Sequence, residues 1–394
     1  MDISPQARYP LATSTWDEEE YAAIQAVVTS GRFTMGPEVR SFEEEFAEYF
    51  GSKHAVMVNS GSSANLIALA AAVVNPDMDL NPGDEVIVPA ISWATTFYPV
   101  HQLGLKLRFV DVDLDTLNIS PVEIQKHITP KTKAILAVSL LGNPADFAAL
   151  RKICDDNALI LIEDNAESLG ARQGEKFTGT FGAMGTFSSF FSHHISTMEG
   201  GLIVTDDRYL YEAMISLRAH GWTRELPADN LIFPKTGEPF DDFYRFVLPG
   251  YNVRPLEMSG AIGRKQLIKV PSLVAGRQAN GSIFEEMFSS RDDIRIQKVQ
   301  GESSWFGFSM VLEGKLRGRR AEVTSMLAGA GIDFRPIVAG NFTRNPVMRY
   351  LDASVPADLP NSDRIHEDGL FVGNHHYPIP RELELLESVL DSVK

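Results

Sequence analysis

The segment SSFFSHHISTMEGG, residues 188–201, sets two adjacent imidazoles, His193 and His194, just ahead of a Gly-Gly turn, with no lysine beside them. Histidine titrates near neutral pH, so a general base, a metal ligand and ordinary packing are the roles open to such a pair. A zinc site asks for three ligands at suitable spacing. The sequence holds no His-Glu-x-x-His pattern, and the other adjacent pair, His375 and His376, is far off, so no metal is expected.

Three further stretches carry chemistry. In VNSGSSAN (58–65) a strand ends, a glycine turns and hydroxyl residues open a helix. Free N–H groups and the positive end of the helix dipole offer an anion site at Gly61 and Ser62. Plain N-capping by Ser60 or Ser62 is the alternative. LILIEDNAES (159–168) drives a buried strand that delivers Glu163, Asp164 and Glu167 at its carboxyl end, where ligands bind in open α/β sheets. A carboxylate there can hold a proton on a ligand's ring nitrogen, or serve as a helix cap among solvated acids. AISWATTFYP (90–99) puts Trp93 at another strand end, to stack on a flat cofactor or to join the core. A phosphate cup, a stacking aromatic, a carboxylate for a ring nitrogen and a base on a later loop together describe a pyridoxal-phosphate site.

These residues need a scaffold. From about residue 54 to 206, short apolar runs (HAVMV, DEVIVPA, LRFVDV, AILAVSL, LILIEDN) alternate with helical stretches such as GSSANLIALAAAVV and DFAALRKICDDN. That alternation argues for βαβ units and a mainly parallel sheet. GTFSSFF and GLIVTDD read as two more strands joined by the histidine loop, with Phe190 and Phe191 as strand core. Beyond residue 260, a long, partly interrupted helix, the strand SSWFGFSMVLE and the helix RAEVTSMLAGAGI suggest a smaller α+β domain, with DEEEYAAIQAVVTSG packing beside it. Residues 225–250 read as a proline-rich excursion.

Composition sets limits. A 394-residue chain that is 44% hydrophobic can bury one large core and a smaller one. Its net charge of −16 opposes nonspecific nucleic-acid binding. The opening MDISPQARYPLATSTW lacks a charged segment followed by an apolar run, and no apolar stretch is long enough to span a bilayer. A cytoplasmic protein with no membrane partner is the expectation. Cys154, the one cysteine, excludes an intramolecular disulfide and a cysteine-ligated iron–sulfur cluster.

The chain resembles the vitamin B6-dependent nucleotide-sugar aminotransferases of the DegT/StrS type. The motifs GRFTMGPEVRSFEEEFAEYFG, NSGSSANLIAL, GDEVIVPAISWATTF, EDNAESLGA, GTFGAMGTFSSF, EGGLIVTDD, LRAHGW and GYNVRPLEMSGAIG carry that resemblance, in order, over nearly the whole length. It implies an α/β, type I (aspartate aminotransferase-like) PLP fold. A large cofactor-binding domain would cover 1–260 with the N-terminal helix, and a small α+β domain 261–394. It also implies a homodimer with shared active sites.

One departure matters. Family members place a lysine before the EGG turn, and aligning SSFFSHHISTMEGG sets His193 in its place. Lysine bonds covalently to the cofactor and moves protons; imidazole moves protons but forms no stable covalent link. The sequence is similar to a histidine-bearing subgroup through its histidine loop, LRAHGWTR and GESSWFGFSM. That similarity implies a dehydratase removing the C3 hydroxyl of GDP-4-keto-6-deoxymannose, with L-glutamate regenerating pyridoxamine phosphate and His193 as catalytic acid–base. By the same resemblance Gly61, Ser62 and Ser188 bind the cofactor phosphate, Trp93 stacks on its ring, Asp164 serves the ring nitrogen and Glu167 lies at its edge. Asn252 would reach the phosphate of the neighbouring subunit's cofactor. Arg254 and Arg335 are candidates for anionic groups of substrate or glutamate, or for ion pairing; His220 is a substrate contact or a core histidine; His194 goes to packing. A true sugar aminotransferase with an unconventional base, and a non-catalytic PLP-binding relative, are the competing readings.

Overall fold

A computed structural model describes residues 7–393, so Met1–Gln6, the start of the stretch read for a signal, and Lys394 lie outside the described residues. Helix α1 (Glu18–Ser30) starts in a capping box between Asp17 and Glu20 and stops at Gly31 in the left-handed region. Helix α2 (Pro37–Phe50) lacks a side-chain cap of its own. The buried carboxylate of Glu257 instead accepts from the N–H groups of Gly36 (2.5 Å), Glu38 (2.8 Å) and Val39 (3.3 Å), meeting both the orphan donors and the helix dipole.

The strands are β1 (His54–Val58), β2 (Glu85–Pro89), β3 (Lys106–Val110), β4 (Thr132–Val138), β5 (Ile160–Asp164), β6 (Arg172–Gln173), β7 (Lys176–Phe177), β8 (Met184–Ser188), β9 (Gly201–Thr205), β10 (Ile294–Ile296), β11 (Gly307–Leu312), β12 (Phe334–Arg335), β13 (Ala353–Ser354) and β14 (Gly369–Gly373). An eight-stranded sheet runs β1-β9-β8-β5-β4-β2-β3-β13, a four-stranded sheet β10-β11-β14-β12, and β6-β7 form a hairpin. In the large sheet β9 alone runs antiparallel to its neighbours, because the loop after β8 contains no crossover helix to carry the chain back. Helices α3 (Gly61–Val74) and α4 (Ala94–Gln102) follow β1 and β2. Both faces of the sheet are covered: Val86 and Val88 join one core with Ile67, Phe97 and Phe109, while Ile87 joins another with Ile135, Phe147 and Leu161. Burial on both sides is why these strands read as continuous apolar runs rather than alternating ones.

The small sheet packs its core residues Phe308, Met310, Leu370 and Val372 against Phe284, Phe288 and Leu386. Helix Glu257–Phe288 is continuous, where an interruption was expected. Pro271 lies within it and is exposed, so the missing N–H falls on the solvent side. The expected boundary at 260/261 falls inside this helix. Its first half packs on α1 and α2, with Lys265 pairing to Glu19 and Lys269 to Glu20; its end supplies Phe284 and Phe288 to the small core. Other segments also join the two bodies. Tyr9 is buried in the small core, its hydroxyl donating to the Gly373 carbonyl at 2.6 Å, and β13 extends the large sheet beside β3.

Strand β8 stops at Ser188, so Phe190 and Phe191 are not strand core. They lie half-buried in the following loop, in edge contact with each other. The hydroxyls of Ser189 and Thr197, 2.6 Å apart, and the Thr197 N–H on the Ser189 carbonyl (2.9 Å) fold that loop back on itself. The 225–250 excursion holds one short helix, Pro239–Phe243, and is otherwise irregular. Among the described residues no helix is long and apolar enough to cross a membrane.

Candidate active site

The carboxyl ends of β1, β2, β5 and β8 bring most of the expected residues to one edge of the sheet. Register pairing sets Asp164 beside Thr186, so Ser188 stands two residues farther along the neighbouring strand. Ser60 caps α3 by accepting from Ser63 N–H at 3.1 Å. Among the described residues the N–H groups of Gly61 and Ser62 find no partner. A Cβ placed on Gly61 would come within 2.7 Å of the Ser188 Cβ, so only glycine lets the helix start approach the strand end this closely. Two free N–H groups, the dipole end of α3 and the Ser188 hydroxyl thus form a cup suited to a phosphate.

Asp164 is 5% exposed and ends β5. Its Oδ2 accepts from Asn65 Nδ2 at 2.8 Å and Thr96 Oγ1 at 2.7 Å, and Thr186 Oγ1 donates to Asn65 Oδ1 at 2.6 Å. The other oxygen, Oδ1, takes only a 3.3 Å contact from Ala166 N–H, which leaves it capacity for an incoming cation. Sequence reasoning missed Asn65, Thr96 and Thr186. Asn65 lies one helical turn after Gly61 and Thr96 follows Trp93 by three, so helical spacing was the available signal. Trp93 heads α4 and is 53% exposed, which settles the choice between core and surface in favour of surface.

Glu167 accepts from the Leu141 N–H at 2.9 Å. Burial raises its carboxyl to about 7, the Leu141 hydrogen bond opposing and the Asp164 charge assisting. His193 lies in the loop after β8, enclosed on most sides yet with some surface open. Burial pulls its imidazole down to about 4, against the nearby Ser188 and Ala166 carbonyls and with help from the Arg277 charge. Its Nδ1 has no hydrogen-bond partner among the described residues, and the Phe306 ring meets it edge-on, 5.2 Å between centroids. His194 is buried, donating from Nε2 to the Ser304 carbonyl at 3.0 Å.

A second group sits on the segment after the excursion. Asn252 Oδ1 accepts from Arg254 Nε at 3.2 Å, and an Arg254 Nη2 lies 3.5 Å from His220 Nε2. The Arg254 guanidinium also covers the Trp222 ring at 5.7 Å. Asn59 N–H on the Val253 carbonyl (2.9 Å) ties this group to the cup. Arg335 stands apart, exposed on β12, and among the described residues it makes no hydrogen bond or ion pair with the other candidates. A cup for phosphate, an exposed indole, a carboxylate with one oxygen free and a neutral imidazole with an unpartnered nitrogen fit pyridoxal phosphate, which has phosphate, flat ring and basic ring nitrogen in that order.

Comparison with known proteins agrees. GDP-4-keto-6-deoxy-D-mannose 3-dehydratase of Yersinia pseudotuberculosis is 52% identical over 384 residues, covering 97% of this chain and 98% of that protein. A solved GDP-4-keto-6-deoxymannose-3-dehydratase with a trapped PLP–glutamate adduct matches at TM-score 0.95 and 50% identity, over 97% of this chain and 100% of that one. A variant of the same kind of enzyme with bound GDP-perosamine matches at TM-score 0.95, 50% identity and the same coverage. The α/β, aminotransferase-like PLP fold expected from the sequence is the architecture these structures share. The model of the DegT/DnrJ/EryC1/StrS aminotransferase family matches residues 14–384, and the chain belongs to that family.

Proposed function

We propose that the chain is a PLP-dependent dehydratase that removes the C3 hydroxyl of GDP-4-keto-6-deoxy-D-mannose, L-glutamate supplying the amino group. The observation that carries this reading is a histidine, not a lysine, in the loop before Gly200 and Gly201: half-buried, neutral and with one ring nitrogen unpartnered, beside an intact cofactor cup. Bound here as pyridoxamine phosphate, the cofactor supplies an amine to capture the sugar's C4 ketone and a ring to accept electrons.

The chain's own residues do the rest. Gly61, Ser62 and Ser188 hold the phosphate, and Trp93 covers one ring face. Asp164, with one oxygen fixed by Asn65 and Thr96, turns the other to the ring nitrogen and keeps a proton there. His193 is neutral above about pH 4 and so would take a proton from the cofactor's C4′ carbon and return one to the departing C3 hydroxyl. It forms no bond to the cofactor, so elimination is the productive exit. Arg254 and His220 offer donors to the anionic part of the substrate; Arg335 is assigned to glutamate or substrate only after movement or from a second subunit. Asn252, exposed and outside the cup, suits a homodimer in which it reaches the other subunit's cofactor phosphate. A cytoplasmic setting fits the one buried, unpaired thiol, Cys154.

The test is incubation with pyridoxal phosphate, L-glutamate and GDP-4-keto-6-deoxymannose, with mass spectrometry of the sugar. The expected product has lost the C3 oxygen and keeps a C4 ketone. A 4-amino sugar would overturn the dehydratase reading in favour of an aminotransferase, and no turnover would favour a non-catalytic relative.

A further inference from the structure

Arg277, midway along helix 257–288, is 4% exposed, and among the described residues it forms no ion pair. A buried cation without a counter-charge is costly unless its donors are satisfied. Here Nη1 alone is satisfied, by backbone carbonyls: Asn374 at 2.8 Å, Phe306 at 3.1 Å and, more weakly, Trp305 at 3.5 Å, while Nε has no partner among the described residues. Asn374 Nδ2 returns bonds to the Arg277 carbonyl (3.1 Å) and the Trp305 carbonyl (2.8 Å), closing the clamp.

The clamped turn is strained. Trp305 has φ +49°, a region a bulky side chain rarely adopts. Across from it, Leu141 (φ +53°) and Gly142 (φ +93°) are also left-handed, and a Cβ on Gly142 would sit 2.5 Å from the Trp305 nitrogen. The two strained segments hold each other through Phe306 N–H on the Leu141 carbonyl (3.0 Å) and Ser304 N–H on the Gly142 carbonyl (2.9 Å). Such conformations persist only where the surroundings over-determine them, and they concentrate at functional sites.

Two arms leave this knot. The Phe306 ring meets His193 edge-on, and the Leu141 N–H donates to the Glu167 carboxylate. We propose that Arg277 is a positioning residue for the dehydration: by pinning the strained 304–306 turn it fixes both His193, through the Phe306 ring, and Glu167, through the Leu141 amide. The inference rests on His193 being the proton-transfer group.

The experiment compares Arg277→Lys, Phe306→Leu and the double variant. Lysine keeps the charge but is one atom shorter, so its ammonium falls short of the place where Nη1 meets the three carbonyls. Each folded single variant loses kcat, by up to about 100-fold for displacement on the ångström scale, with KM for the nucleotide sugar unchanged. Because both act through one turn, the double variant falls little below the worse single one. In cofactor-free protein, the His193 ring resonance, assigned by its absence from His193→Asn, titrates nearer the ordinary histidine value in both singles, since loosened packing relieves its burial. Three results would overturn the proposal: wild-type kcat with an unmoved His193 titration, a loss confined to KM, or single losses that multiply in the double variant. If Arg277→Lys does not fold, Phe306→Leu decides alone, because an unaltered kcat and titration there break the link. Full dehydration by His193→Asn would instead sink the parent reading.

Discussion

His193 and Glu167 are displaced in opposite directions by one cause. Burial takes the imidazole down to about 4 and the carboxyl up to about 7, so between those values the cofactor-free site holds both a neutral base and a neutral acid. Asp164 stands beside them with two donors, Asn65 and Thr96, on one oxygen. Asp164→Asn would set an amide N–H₂ against one of those donors or against the ring nitrogen, and it could no longer compensate a proton there. It is expected to lower kcat by at least about 100-fold, on the scale of losing one preorganised electrostatic contact, while the protein stays folded by circular dichroism. Turnover within a few-fold of wild type would show that Asp164 is not the ring-nitrogen partner. Of these residues, the types were legible in the sequence: strand ends deliver them, and the motifs order them. The environments were not, because Phe306 and Leu141 arrive from segments far from the histidine loop.

At the scale of elements, the cup is made by how closely α3 can start beside the end of β8. Gly61→Ala puts a methyl 2.7 Å from the Ser188 Cβ, forcing helix and strand apart where two N–H groups converge. PLP affinity should weaken by about tenfold or more, equivalent to roughly 1.4 kcal/mol, as read by absorbance titration. Unchanged affinity would mean the helix start does not hold the phosphate. The strands were readable because burial on both faces leaves long β-branched runs, as in β2 and β4. Two local readings went astray where packing outranked pattern. Pro271 does not break its helix, because it faces solvent; Phe190 and Phe191 continue the apolar run of β8, yet hydroxyl bonds at Ser189 and Thr197 turn the chain first. The left-handed residues Leu141 and Trp305 had no local signal at all, since nothing in either type favours that backbone.

Across the whole molecule, the chain's start is stitched to its end. His375 receives Thr13 Oγ1 at its Nδ1 (3.0 Å) and donates from Nε2 to the Pro10 carbonyl (3.0 Å). Burial holds it down to about 4, the Arg277 charge assisting. The native state therefore refuses a proton that the unfolded chain accepts near pH 6.5. This contribution to stability is whole above about 6.5 and lost as pH falls toward 4. His375→Gln lacks that titration, so its stability deficit relative to wild type should shrink over the window, by up to about 1.4 kcal/mol per pH unit. Urea unfolding at pH 7, 5.5 and 4.5 measures it; a constant gap would contradict the assignment. A shared-site homodimer makes a separate prediction. Two weak variants, His193→Asn and Asn252→Ala, refolded together should recover activity above either alone, because each hybrid contains one site with both native residues. No recovery would place Asn252 in its own subunit's site.

Strand β9 has a consequence for the order of events in folding. At the sheet's edge β1 pairs with β9 alone, and those segments are residues 54–58 and 201–205. The first strand made by the chain, and the phosphate cup behind it, must therefore wait for one of the last strands of the sheet core to arrive. A nascent chain ending before Gly201 would carry β1 with its backbone edge unpaired, prone to pair with the wrong edge. It would also be unable to hold the cofactor, which makes pyridoxal phosphate a ligand of the finished sheet and not a template for building it.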